Sequence, residues 1–384
     1  MTRVTAMGQS ARFVWLDACR LIAGVSMVGL HATADANGQP WVDYDPGERV
    51  LPMLLRAVIY TARTELFIVI SIFLLMMALD RRPRGYRQTI AEQSRRLLVP
   101  FAFWVVFYAA YTLIKADSFG YADAWLAQLS DPAAWAGFLV LGDVKYHMHF
   151  IPTLFGLVLF YPLFRIAVAH PWTGFVVLAC LIVKRELDVM LWSTFWSADW
   201  LPWAVRAVKI VTYIGYGMVA AAFWGIWSRT RMEDRAPWVP LILFVGGLMF
   251  LIKLVATYKT VETGAWPHSY TPGYWADFLM PVALFALCLC LAHKAWPPVL
   301  SRLAPYSFGI YLCHPIFLDM AEIALKGTDL APMAQIGIKI GWALPATTLF
   351  VIVLSKLPPL AWTVGLGPLP RLRSRAARIP QQET

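Results

Sequence analysis

The stretch Phe13–Ala34 reads FVWLDACRLIAGVSMVGLHATA, and its reading decides what kind of protein this is. It is long and apolar enough to cross a bilayer, which takes about 20 residues, yet it carries Asp17, Arg20 and His31. At about 100° per residue the three side chains fall within roughly 60° of one another, on one stripe of a helix. An ionised side chain at mid-bilayer costs roughly 2.5 to 3.5 kcal/mol on insertion scales, so the stripe must face protein or a wet cavity. This helix reads as one wall of a reaction site.

Working outward, the whole chain shares its apolar character. Of 384 residues 59% are apolar or aromatic and 15% are charged, against roughly 25% charged in a soluble domain. The 18 Trp, 15 Tyr and 22 Phe suit a protein with aromatic belts at two membrane interfaces. A formal charge of +10 could suggest nucleic acid, but the basic residues gather on alternate loops, so nucleic acid is not an expected partner and the lipid bilayer is. Cys19, Cys180, Cys288, Cys290 and Cys313 all lie in apolar runs, where a thiol behaves as a small hydrophobe. They imply no disulfide framework and no metal pair. The first apolar run lacks a small-residue cleavage site and reads as a retained helix, not a signal peptide.

Hydropathy picks out ten candidate spans, at 14–34, 58–79, 97–116, 149–169, 172–191, 206–227, 237–257, 274–293, 304–324 and 333–356. Pro152, Pro281, Pro315 and Pro345 fall near or inside them, where proline kinks a helix and frees a backbone carbonyl. Arg3 and Arg12, the Arg81–Arg96 cluster, Arg165, Arg229 to Arg235, Lys294 and Arg302, and the tail arginines occupy one set of loops. Those loops are cytoplasmic by the positive-inside rule, which puts both termini in the cytoplasm and His31 toward the outer leaflet. The expectation is an all-α polytopic bundle with one membrane domain over residues 1–357 and a basic, disordered tail over 358–384.

His31 is the strongest candidate for chemistry, as a general base toward a hydroxyl or as a transient acyl carrier. Asp17 and Arg20 share its stripe and are spaced to pair. Arg63, Glu65 and Ser71 lie on the second span, and Glu65 is a candidate to polarise His31 if the first two spans pack together. His147 and His149 enter the fourth span. Ser307, Tyr311 and His314 form a polar stripe on the ninth. Asp277, Asp319 and Lys339 are further charges in or beside apolar runs with no assignable role. Arg95 and Arg96 abut the membrane and suit phosphate, since guanidinium groups fork onto phosphate oxygens.

The order Asp17, Ala18, Cys19, Arg20 and then His31 resembles the first-helix signature of the acyltransferase-3 superfamily. The likeness continues at Leu66–Leu74, Arg95–Phe101, His147–Pro152 and Tyr306–Pro315, and the run from His147 through Pro162 is similar to the surface-polysaccharide O-acetyltransferase branch. Ile72, Gln93 and His149 depart from the family pattern. The resemblance implies an acyl-CoA donor, here acetyl-CoA, and no metal. The acceptor would be a carbohydrate polymer or a lipid-linked glycan. His31, Arg20, Asp17 and Glu65 would be catalytic; Arg95, Arg96, Arg63 and Ser71 would hold the donor; His147, His149, Tyr311 and His314 would meet the acceptor. It further implies a bacterial inner-membrane location, with polysaccharide synthesis or export machinery and a second copy of the chain as compatible partners. A proton-coupled transporter using the Asp17, Arg20 and His31 stripe, or a non-catalytic partner of a polysaccharide synthase, are the alternatives.

Overall fold

The computed structural model describes residues 13–267 and 270–369. Arg3, Arg12 and the part of the basic tail from residue 370 onward lie outside the described residues. Every regular element within them is helical. The chain opens with α1 (Val14–Ala32), α2 (Pro46–Ile59), α3 (Thr64–Arg81) and α4 (Tyr86–Phe119), followed by the short α5 (Ala122–Ser130) and α6 (Pro132–Ala136). Then come α7 (Phe150–Val158), α8 (Tyr161–Ala169), α9 (Val176–Thr194), α10 (Leu201–Thr212), α11 (Ile214–Arg229) and the single turn α12 (Met232–Arg235). The chain closes with α13 (Val239–Thr263), α14 (Thr271–Cys290), α15 (Val299–Leu303), α16 (Ser307–Leu325) and α17 (Pro332–Lys356).

The helix boundaries follow local chemistry. Asp45 and Glu48 form a capping box at the start of α2, with Pro46 in its first turn. Helix α4 stops at Gly120, whose φ of 80° is left-handed. Gly142 matters most for the site, because its φ is 77° and a Cβ there would come 2.7 Å from the His149 backbone. Only glycine can make that turn, and it folds residues 143–149 back under the end of the bundle.

Helix α1 sits at the centre, against α3, α14, α16 and α17. Trp15 meets Phe73 and Phe285 edge-on at 5.9 and 5.7 Å, which fills the space between α1, α3 and α14. Helix α13 packs on α14 and α2 and turns Leu241, Leu243, Phe244, Leu248 and Leu251 outward. An exposed apolar face of that size suits lipid and not water.

Each of the ten expected spans is helical, but they are not ten equivalent crossings. Among the described residues eight helical stretches are long and apolar enough to cross a membrane, and a ninth is made if α7 and α8, bent by 66°, count as one. The expected span 172–191 corresponds to α9, whose middle carries Lys184, Arg185, Glu186 and Asp188. Lys184 pairs with Asp188 and Arg185 reaches Thr271 at 2.6 Å, so these charges bind neighbours instead of leaving an apolar crossing. The expected disorder after Leu357 also needs correction for its first residues. Ala361–Val364 form a 3-10 turn against α4, where Trp104 donates to the Thr363 carbonyl at 2.9 Å.

Candidate active site

Helices α1 and α16 run side by side, and their polar residues meet in steps of about seven. The Ser301 hydroxyl, at the approach to α16, donates to Asp17 at 2.7 Å. One heptad on, Gly24 lies against Ser307, leaving just enough room for a Cβ at 3.4 Å. A further heptad on, the His31 ring stacks near His314, centroids 5.5 Å apart and planes 21° apart. A heptad repeat keeps the same face of two helices together, so the stripe becomes a seam, polar at its two ends and close-packed at Gly24 between them. Arg20 lies 3.6 Å from Asp17 at one end of it, roughly 16 Å along α1 from His31 at 1.5 Å per residue.

At the His31 end the Gly142 turn brings in a third imidazole. His147 lies 5.1 Å from His314, ring to ring, and Tyr146 covers His31 at 4.1 Å. The Tyr311 hydroxyl donates to the His147 carbonyl and fixes that loop to α16. Arg56 donates to Thr33 Oγ1 at 3.2 Å and to the Leu30 carbonyl, which pins the last turn of α1 and with it His31.

The ring tautomers follow from backbone carbonyls. Pro315 has no N–H, so the Tyr311 carbonyl lacks its helical partner, and His314 Nδ1 takes that place at 2.7 Å. A nitrogen facing a carbonyl carries the proton, which leaves His314 Nε2 as a bare lone pair. In the same way His147 Nε2 donates to the Leu312 carbonyl at 3.2 Å, leaving His147 Nδ1 bare. Burial, with His314 and His31 adding to it, holds the His147 ring well below the usual imidazole range, so it is neutral near pH 7. Among the described residues His31 Nε2, His147 Nδ1 and His314 Nε2 are all buried and without a hydrogen-bond partner. Buried polar atoms are normally satisfied, and three such nitrogens in one cluster mark a place built for something else to bind. Pro315→Ala should supply the missing N–H to Tyr311 and release His314. The expected result is an intact fold, altered 15N shifts of labelled His314, and acyl transfer reduced about tenfold, or ~1.4 kcal/mol of barrier.

Beside the histidines lies a buried ionic network that the sequence reading left without a role. Lys145 pairs with Asp319 at 2.6 Å, Lys115 with Asp319 at 3.2 Å and with Glu322, and Lys339 with Glu322 at 3.3 Å. Lys339 also donates to the Ala34 carbonyl at 2.8 Å. A cavity of about 320 Å³ opens beside it, with Tyr146 and Lys145 in its wall. Asp319 and Glu322 stand three apart on α16 and Lys115 sits at the end of α4, so helical spacing was the available signal; the partner helix was not.

The structure gathers His31, His147, Tyr311 and His314, and strings Asp17 and Arg20 along the same seam. Glu65 needs correction. It accepts from the Tyr213 hydroxyl and lies 3.2 Å from Arg63, and no hydrogen bond or ion pair joins it to His31 among the described residues. Arg63 is extended at the break before α3, which lets its side chain fold onto the first turn and claim the carboxylate; Tyr60 and Phe278 flank its guanidinium. Glu65→Gln should therefore lower the thermal midpoint, through a buried Arg63 left short of its partner, while the pH profile of transfer keeps its shape. His149 also stands apart from the ring cluster, its carbonyl held by Arg206 at 3.1 Å. Ser71 is half-buried without a side-chain hydrogen bond, and Arg95 and Arg96 are exposed on α4 without an ion pair, among the described residues. Nothing in this arrangement joins those three to the histidines. Lys115, Lys145, Arg56 and Tyr146 are the site residues that sequence reasoning missed.

The architecture defines a polytopic helical membrane protein with a buried imidazole cluster at one end of a polar seam. The family model of the acyltransferase domain matches residues 13–357, and the chain belongs to the acyltransferase-3 family. It is thus a membrane acyltransferase. Comparison with curated proteins and with solved structures returns no match.

Proposed function

We propose that this protein moves an acetyl group from cytoplasmic acetyl-CoA to a sugar hydroxyl of a polysaccharide or lipid-linked glycan in the bacterial inner membrane. The observation that carries the reading is the cluster of three buried, unpartnered imidazole nitrogens on His31, His147 and His314. His31 Nε2 takes the proton of the acceptor hydroxyl as its oxygen attacks the thioester carbonyl. The tetrahedral intermediate collapses to the ester, and the departing CoA thiolate recovers the proton from the imidazolium. Arg56, whose positive charge acts on His31, favours the negative charge that develops on the carbonyl oxygen. His147 and His314, their tautomers fixed, orient the acceptor.

The donor approaches from the Asp17, Arg20 and Ser301 end of the seam, with Arg95 and Arg96 offering phosphate contacts at the face that the positive-inside pattern puts in the cytoplasm. The acceptor enters from the opposite end, through the cavity over Tyr146. The test is label transfer from acetyl-labelled acetyl-CoA to a crude polysaccharide extract by purified protein in lipid nanodiscs. Transfer that is saturable in acetyl-CoA supports the reading. Absence of both transfer and acetyl-CoA binding refutes it.

A further inference from the structure

The cavity beside the histidines carries more than a place for a sugar. Lys115, Lys145 and Lys339 share only Asp319 and Glu322, so the network holds three positive charges against two negative ones. Two other carboxylates lie nearby, and neither pairs with Lys145. Asp143, in the cavity wall, faces Arg206 at 3.6 Å. Asp35 accepts from the backbone N–H groups of Asn37 and Gln39 at 2.8 and 2.7 Å, and its charge acts on Lys339.

The surplus charge is placed by hydrogen-bond accounting. Lys339 is turned to Ala34 and Glu322, and Lys115 is divided between Asp319 and Glu322. Lys145 donates once, to Asp319, although an ammonium has three donors. It is 8% exposed and lines the cavity. In the same wall Thr112 Oγ1 is buried without a hydrogen-bond partner among the described residues, and Tyr121 and Trp125 line it as well. A buried cation with spare donors, an orphan hydroxyl and flanking aromatic rings form a built site for one anionic group on a sugar ring.

We propose that the acceptor recognised here is an acidic sugar, a uronate whose carboxylate binds Lys145 and Thr112 while its ring lies on Tyr146 above His31. A single ammonium with spare donors matches a carboxylate better than a phosphate dianion. The proposal rests on the acyl-transfer reading for the use of the bound sugar, but not for its binding. Tyr146 is both the wall of this cavity and the cover of His31, so the sugar hydroxyl reaches the imidazole when that ring turns aside.

The test is binding to the full-length protein in nanodiscs, followed by calorimetry without any acyl donor. The probes are the trimers of galacturonate, glucuronate and mannuronate, each paired with its neutral methyl ester. At least one acid should bind about tenfold or more tightly than its ester, the size of a charge-assisted hydrogen bond. That preference should fall to within about twofold in Lys145→Gln and shrink in the isosteric Thr112→Val, which leaves the ion pairs intact should the first variant fail to fold. Equal affinity for acid and ester, binding by none of the three acids, or a preference untouched by Thr112→Val would each overturn the proposal. Tighter binding of galactose 6-phosphate than of galacturonate would overturn the choice of a carboxylate. Acid-selective binding without acetyl transfer would leave this site standing and sink the transfer reading. Equal transfer to acids and esters would do the reverse.

Discussion

His31→Ala should lower acyl transfer by about 10² to 10⁴, the range for removing a general base, with the protein still folded. The loss follows from position. His31 is the ring on α1 that Tyr146 covers and His314 stacks against, and its Nε2 has no hydrogen-bond partner among the described residues. Nothing in the fold depends on that nitrogen, so thermal unfolding in detergent should change little. Added imidazole should restore part of the activity, since the vacated space adjoins two rings that keep their own backbone partners. Unchanged transfer in His31→Ala would move the base to His147 Nδ1 or His314 Nε2, the other bare lone pairs of the cluster.

Asp319→Asn should give the largest loss of stability, about 3 to 5 kcal/mol, the cost of breaking a buried ion pair from one side. Asp319 is 1% exposed and binds both Lys115 and Lys145. Neutralising it takes away the ion-pair partner of Lys145 and leaves Lys115 and Lys339 to share Glu322. The measurement is the unfolding midpoint in detergent, together with the yield of folded protein. Adding Lys145→Met removes the worse-paired cation and should recover part of the loss, so the double variant should be more stable than the sum of the singles predicts. Strict additivity would mean that Lys145 and Asp319 are not coupled.

Much of the site was legible because the bilayer makes polarity expensive. Asp17, Arg20 and His31 stood out for the same reason that a charge in an apolar run always does, and helical periodicity put them on one stripe. The stripe of Ser307, Tyr311 and His314 was legible in the same way, and Pro315 announced a freed carbonyl. That this carbonyl is the one that fixes the His314 proton emerged only from the coordinates. Glu65 went to a different partner. Its residue type and depth made it a fair partner for His31, but a carboxylate binds whichever cation packs beside it, and that was Arg63, two residues away.

By itself the sequence determined the class of fold, since apolar length compels helices where backbone groups have no water to bind. It also determined which helix carries the central imidazole. Periodicity speaks only of one helix at a time, so the partner of each stripe was decided by tertiary packing. Packing set α1 beside α16 in heptad register, the Gly142 turn carried His147 and Tyr146 to His31, and Lys115 and Lys145 came to Asp319 from residues 204 and 174 positions away. Contacts of that separation leave no periodic trace in the chain, because they depend on how whole helices are arranged around one another.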